Sequence, residues 1–172
     1  LIRLILAGTL SSNYGIYGPV FEFAHNEAFP GKEEYNHSEK YEIKHWDWPR
    51  NTKIKEVISI LNRVRKENEA LQSTWNIEFD DTDNDQLLSY TKISEDGENK
   101  IITVVSLDPH HTQSGWVRVP LQRLGVEGQE SYSVTDLLTG SSYIWQDEWN
   151  YVELHPQAIP APVSYTHLTL PT

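Results

Sequence analysis

The chain has no cysteine. That excludes a disulfide framework and any thiolate metal site, and it fits a cytosolic protein. Positive charge is also scarce: 14 Lys and Arg stand against 25 Asp and Glu, for a net charge of −11. Nucleic-acid binding needs clustered cations, so that class is set aside. The balance favours a neutral or sugar-like ligand. No long apolar run is present. The opening LIRLILAGTL is too short to span a bilayer and carries Arg3, and no basic stretch precedes an apolar core as in a signal peptide. The expectation is a protein without a membrane partner, cytoplasmic, with that opening as a buried helix.

What is abundant is aromatic side chains, and residues 11–48 concentrate them. Tyr14, Tyr17, Tyr35, Tyr41, Trp46 and Trp48 stand among Asn13, Glu22, Glu39, Lys40, His45 and Asp47. Tyr-Gly-Ile-Tyr-Gly-Pro reads as a short buried strand ended by Gly18-Pro19. The polar, aromatic loop after it is long enough to suggest function. Pro49 closes the loop, and Asn51 or Thr52 can cap a helix. In that helix, Ile54, Val57, Ile58, Leu61 and Val64 share one face. Arg63, Arg65 and Lys66 fall in its last turns, where cations complement the dipole and a solvated face is the simple reading.

The pattern changes near Gln72. Strands are predicted at Trp75–Phe79, Leu87–Ile93, Lys100–Leu107, Trp116–Val119, Tyr132–Leu137, Ser142–Trp145 and Tyr151–Leu154. Asp96-Gly97, Asp108-Pro109, Gly125, Gly128 and Thr139-Gly140 separate them. That spacing predicts an antiparallel β-sandwich over residues 72–161. Asp80-Asp-Thr-Asp-Asn-Asp-Gln fails as a calcium loop: position six is Asp85, not Gly, and position twelve is Thr91, not Glu. A solvated turn accounts for it. His37, His45, His110, His111 and His155 lack the helical spacing of a zinc site, so no metal and no cofactor is expected. Ser11-Ser12 lacks a nucleophile elbow, and the glycines form no phosphate loop.

SSNYGIYGPVFEF, EEYNHSEKYEIKHWDW, NRVRKENEALQ and YSVTDLLTGSSYIWQDEWNYVELHPQ together resemble the maltosyltransferases of the alpha-amylase superfamily, glycoside hydrolase family 13. The resemblance runs over about residues 1–161. It implies that residues 1–71 are the last βα portion of a (β/α)8 barrel, with a strand near Tyr14–Tyr17, followed by the β-sandwich of residues 72–161. It implies α-maltose 1-phosphate and α-1,4-glucan as substrates and leaves a homodimer open for the full-length enzyme. The family's nucleophile, acid and third carboxylate would lie before Leu1, which is no natural start. The chain then reads as a C-terminal fragment that has no catalytic residue of its own and is inactive alone.

Glu22, Glu33, Glu34, Glu39, Glu42 and Asp47 read instead as solvated loop charges. The family's Lys-Tyr pair that contacts the maltosyl unit matches Lys40-Tyr41 in the setting SEKYEI, so these two are the expected substrate-binding residues. Residues 162–172 resemble translated adapter or vector sequence and are expected to stand outside the fold. Two rivals remain: another amylase-like glycosidase, and a non-catalytic carbohydrate-binding β-sandwich with Trp145 and Trp149 as a sugar platform. Weak or absent retention of residues 72–161 on glucan separates the last from the maltosyltransferase reading.

Overall fold

The computed structural model describes residues 1–32, 34–36, 42–128, 131–158 and the backbone of 163–167. The chain forms two compact units, one of Leu1–Tyr14 with Leu61–Thr172, the other of Gly15–Ile60.

The first unit opens with helix α1 (Ile2–Leu10), which buries Ile5, Gly8 and Thr9. Its glycine is a packing requirement: the Leu61 side chain occupies the space that a Cβ on Gly8 would need. The apolar opening is thus a helix, as its composition predicts, but it is buried along one face only, with Arg3 and Ala7 exposed.

The second unit begins extended. Residues 13–17 form no strand, and Tyr17 is 53% exposed. The strand expected at Tyr14–Tyr17 is therefore absent. A parallel strand holds its N–H and C=O groups only against neighbouring strands, and among the described residues none pairs with 13–17. Helix α2 (Gly18–Glu22) follows, with Pro19 in its first turn, where the missing N–H costs nothing. So Gly18-Pro19 starts a helical turn. Helix α3 (Lys53–Glu67) matches the predicted amphipathic run, and Val57, Ile58, Leu61 and Val64 are buried along one face. Thr52 caps it, accepting the Lys55 N–H at 3.2 Å.

α3 ends in the first unit, and a 3-10 turn (Glu69–Gln72) leads into the strands. These are β1 (Ile77–Asp80), β2 (Leu87–Ile93), β3 (Lys100–Ser106) and β4 (Gln113–Arg118); after helix α4 (Leu121–Leu124) come β5 (Tyr132–Asp136), β6 (Ser142–Trp145), β7 (Trp149–Leu154) and β8 (Val163–His167). All pairings are antiparallel, in a six-stranded sheet ordered β1-β2-β3-β8-β5-β6 and a ribbon of β4 with β7. The second half is β-rich and antiparallel, as predicted. Leu87, Ile102, Val104, Val134, Val117, Val119, Val152 and Leu154, from both sheets, share one buried cluster. Strand β7 alternates cleanly: Asn150, Val152 and Leu154 face in, while Trp149, Tyr151 and Glu153 face out.

The expectation that residues 162–172 stand outside the fold is not met at 163–167. That stretch pairs with β3 on one side and β5 on the other, Thr103 opposite Val163 and Asp136 opposite Ser164. A ladder is built from backbone groups, so a run of any origin with strand-forming residues fits it.

Candidate functional site

Lys40 and Tyr41, the expected substrate-binding pair, lie outside the described residues, as does their neighbour Glu39. The chain on either side of them is described, and it builds an aromatic cluster within the second unit. Phe23, at the end of α2, is its hub. Its ring stacks on Trp46 at 5.5 Å and 6°, and meets Trp48 edge-on at 5.9 Å. His25 packs edge-on against Trp46 at 5.6 Å. Between Phe23 and His25, Ala24 takes a φ of 53°. A residue with a Cβ is seldom found there, and the reversal directs both flanking rings at Trp46.

Two ammonium groups complete the cluster. Lys44 Nζ lies 5.7 Å from the Trp46 ring centre, and Lys55 Nζ 5.8 Å from that of Phe23. Lys55 also donates to the Trp48 carbonyl at 2.6 Å, and Thr52 donates to that of Glu22. The helix that follows the loop thus ties down both ends of the cluster. Farther along the loop, Tyr17 and Tyr35 pack at 6.3 Å, and Ala28 bridges to Tyr35. The arrangement offers aromatic faces beside cationic donors, the chemistry that a sugar's CH faces and hydroxyls use. Sequence reading left Trp46 and Trp48 unassigned and missed Phe23 and Lys55. Nothing in the VFEF run sets Phe23 apart from an ordinary core residue, and Lys55 reads as a solvated helix charge.

Tyr14 belongs to the other unit and serves structure. Its hydroxyl donates to Asn62 Oδ1, and the Arg65 guanidinium lies 5.0 Å from its ring centre. Burial pushes the Tyr14 phenol up, and the nearby Arg65 charge pulls it back. Arg65 is no solvated charge: it donates to the carbonyls of Gly8, Ser11 and Ser12. It closes the C-terminal end of α1, where the helix dipole is negative.

The acidic run after β1 is a turn, as predicted, with Asp81, Asp83, Asp85 and Gln86 exposed, and two of its side chains also tie it to β4. Asp83 accepts the Trp116 N–H at 2.7 Å, and Asn84 donates to the carbonyl of Ser114 at 2.9 Å. Asp80, half-buried, is pushed up to about 6, chiefly by desolvation, against a 2.7 Å hydrogen bond from Thr91 that lowers it. It lines a groove with ion pairs from Arg118 to Asp81 and Glu148 and from Arg123 to Glu78. His110 and His111 sit in an exposed turn over Asp108. The His110 N–H, and then the ring and N–H of His111, hold that carboxylate far below its ordinary range. Among the described residues no group of three or more His, Asp or Glu side chains is gathered as a metal site requires, and no helix is long and apolar enough to cross a membrane.

Residues 79–165 match the family described as GLGE, C-terminal. The chain belongs to that family. It is 48% identical, over 98% of its length, to an alpha-1,4-glucan:maltose-1-phosphate maltosyltransferase of Chlorobaculum tepidum, and 47% identical over 93% to one from Methylacidiphilum infernorum. The chain spans 26% and 24% of those proteins, about a quarter of their length. Among solved structures, a maltogenic alpha-amylase of Thermotoga neapolitana superposes on 69% of this chain and 26% of its own, with a TM-score of 0.53 and 11% identity. That likeness is one of fold.

Proposed function

We propose that this chain is the C-terminal part of a retaining maltosyltransferase. The whole enzyme moves maltose from α-maltose 1-phosphate to the non-reducing end of an α-1,4-glucan and releases phosphate. The observation that carries this reading is the identity of 48% over 98% of the chain to a relative named for that reaction. Residues 1–71 then complete a (β/α)8 barrel. Neighbouring barrel strands supply the ladder that residues 13–17 need before they can become a strand. Residues 72–161 form the β-sandwich domain beside it.

Chemically, a carboxylate attacks the anomeric carbon, phosphate leaves, and the glucan's 4-hydroxyl then attacks the glycosyl-enzyme. Those carboxylates belong to strands outside this chain. Lys40 and Tyr41 hold the maltosyl unit by hydrogen bonds, and the Phe23–Trp46–Trp48 cluster braces the loop that carries them. The test is phosphate release from α-maltose 1-phosphate by the full-length protein with glucan present. Phosphate release matched by glucan elongation supports the reading. Free maltose from α-glucan without any phosphate donor overturns it in favour of an amylase-like hydrolase.

A further inference from the structure

In the β-rich unit, exposed rings collect on the outer face of the β4–β7 ribbon and at the edge strand β6. Trp116 lies opposite Tyr151 in the ladder, their rings 5.7 Å apart at 68°. Trp149 shares that face through strand alternation. These three are 47%, 53% and 42% exposed. At Tyr151 a cleft of about 230 Å³ opens, with Tyr143 and Trp145 of β6 and with Glu153 and His155 along its walls. Contiguous apolar surface of this kind marks a binding site more often than scattered single residues do.

The polar groups narrow the ligand. Among the described residues, the hydroxyls of Tyr143 and Tyr151 have no hydrogen-bond partner. Glu153 holds His155 Nε2 at 3.1 Å through one oxygen, which leaves the other to accept. Asp136, deeper in the cleft, is spent: its oxygens accept from the Leu138 N–H at 3.0 Å and the Thr139 hydroxyl at 2.6 Å. Among the described residues no Lys or Arg lines the cleft, and Arg118, opposite Trp149 on the same ribbon face, is already paired with Asp81 and Glu148, so this acidic chain disfavours an anion there. Aromatic faces, neutral hydroxyls and one carboxylate suit a neutral polyhydroxylated chain.

We propose that the strip Trp116–Tyr151–Tyr143 is an accessory carbohydrate-binding surface that takes an α-1,4-glucan chain, independently of Lys40 and Tyr41. The α-1,4 linkage rests on the proposed function; the aromatic cleft does not. It differs from the platform expected from sequence, because Trp145 turns inward against Tyr132 at 6.4 Å while Trp149 faces out.

The experiment is an NMR titration of the ¹⁵N-labelled 172-residue chain with maltoheptaose and, separately, cellohexaose. Maltoheptaose should give saturable shifts at the indole N–H groups of Trp116, Trp145 and Trp149, with about millimolar affinity. Tyr151→Ala, or Tyr143→Ala at the exposed edge should the first variant unfold, should weaken binding about tenfold while the remaining spectrum is unchanged. Silence with both sugars overturns the surface, as do shifts that survive both variants. Binding of cellohexaose alone keeps the surface and overturns the α-glucan choice; the maltosyltransferase reading itself stands or falls separately, on phosphate release by the full-length protein.

Discussion

Lys92 donates to the carbonyl of Ser73 at 2.5 Å from a fully buried position in β2, and reaches the carbonyls of Thr9 and Leu10 at 3.3 and 3.4 Å. With Arg65 it closes the end of α1, so two cations serve one helix terminus. Burial, then the Arg65 charge, push the Lys92 ammonium down to about 8 from 10.5. Between those values the unfolded chain binds a proton that the folded chain does not, so stability rises with pH. Urea unfolding from pH 7 to 10 should show the parent gaining about 1–2 kcal/mol over Lys92→Met between pH 8 and 10. Above pH 10 both should lose stability, because burial pushes the Tyr90 phenol up to about 12 while the unfolded tyrosine ionises near 10. Parallel curves for parent and variant up to pH 10 would refute the assignment.

Gly115 in β4 faces Asp83. A Cβ at Gly115 would stand 2.5 Å from Asp83 Oδ1 and 3.0 Å from Asn84 Cβ. Gly115→Ala must displace the carboxylate that accepts the Trp116 N–H, and should cost about 1–3 kcal/mol, as overpacking does. In an Asp83→Ala background the same change should cost clearly less, since the contact is gone. Additive losses in thermal melts would show that the clash lies elsewhere.

The Tyr132 hydroxyl donates to the Asp147 carbonyl and accepts from Asn150 Nδ2, both at 2.9 Å. Asn150 in turn accepts the Gln146 N–H at 3.0 Å. This network sets the β6–β7 turn, where Asp147 takes a φ of 52°. Tyr132→Phe leaves a half-met buried amide and should cost about 1–3 kcal/mol. Asp147→Gly should be neutral or mildly stabilising, because glycine takes that φ freely. Destabilisation by Asp147→Gly beyond about 1 kcal/mol would contradict this account.

Strand β8 makes the fourth test. Ending the chain at residue 158 removes the ladder between β3 and β5 and exposes both as edges. Hydrogen exchange should lose protection at Ile102, Ser133 and Thr135, whose N–H groups face β8, and the melting temperature should fall by about 10 °C or more. Replacing 163–167 with another strand-forming run should restore most of the loss, since the pairing is between backbones. Unchanged protection after truncation would show that β8 adds nothing.

Local chemistry made much of this legible. The bounds of β2 and β6 are those predicted, because strand-forming runs lie between Gly and Asp turns. The α3 face follows from spacing at Ile54, Val57, Ile58, Leu61 and Val64. Non-local partners were not legible. Whether residues 13–17 form a strand depends on neighbours, not on their own composition. Lys92 and Arg65 look like solvated cations until α1 folds back against them. The five residues of β8 gain their place only from the gap between β3 and β5. At the candidate site, density of aromatics pointed to the loop, but the hub, Phe23, emerges only when Trp46 and Trp48 return to it.

The decisive test of the site concerns Lys40 and Tyr41 in the full-length enzyme. Both are proposed to hydrogen-bond the maltosyl part of the donor. A hydrogen bond from a charged donor is worth about 1.5–3 kcal/mol and a neutral one about 1. Lys40→Ala should therefore lower kcat/KM for α-maltose 1-phosphate about ten- to 150-fold, and Tyr41→Phe about fivefold, at saturating glucan. Lys40→Arg should recover only part, because a planar fork replaces a compact ammonium. The melting temperature of Lys40→Ala should stay near the parent's, since a side chain that serves the ligand adds little to the free fold. The loss should also leave the pH profile in place, because these groups hold the donor and transfer no proton. Parental kcat/KM in both variants would return Lys40 to the solvated loop charges and Tyr41 to packing, and would leave the Phe23–Trp46–Trp48 cluster as a brace for a loop that binds nothing.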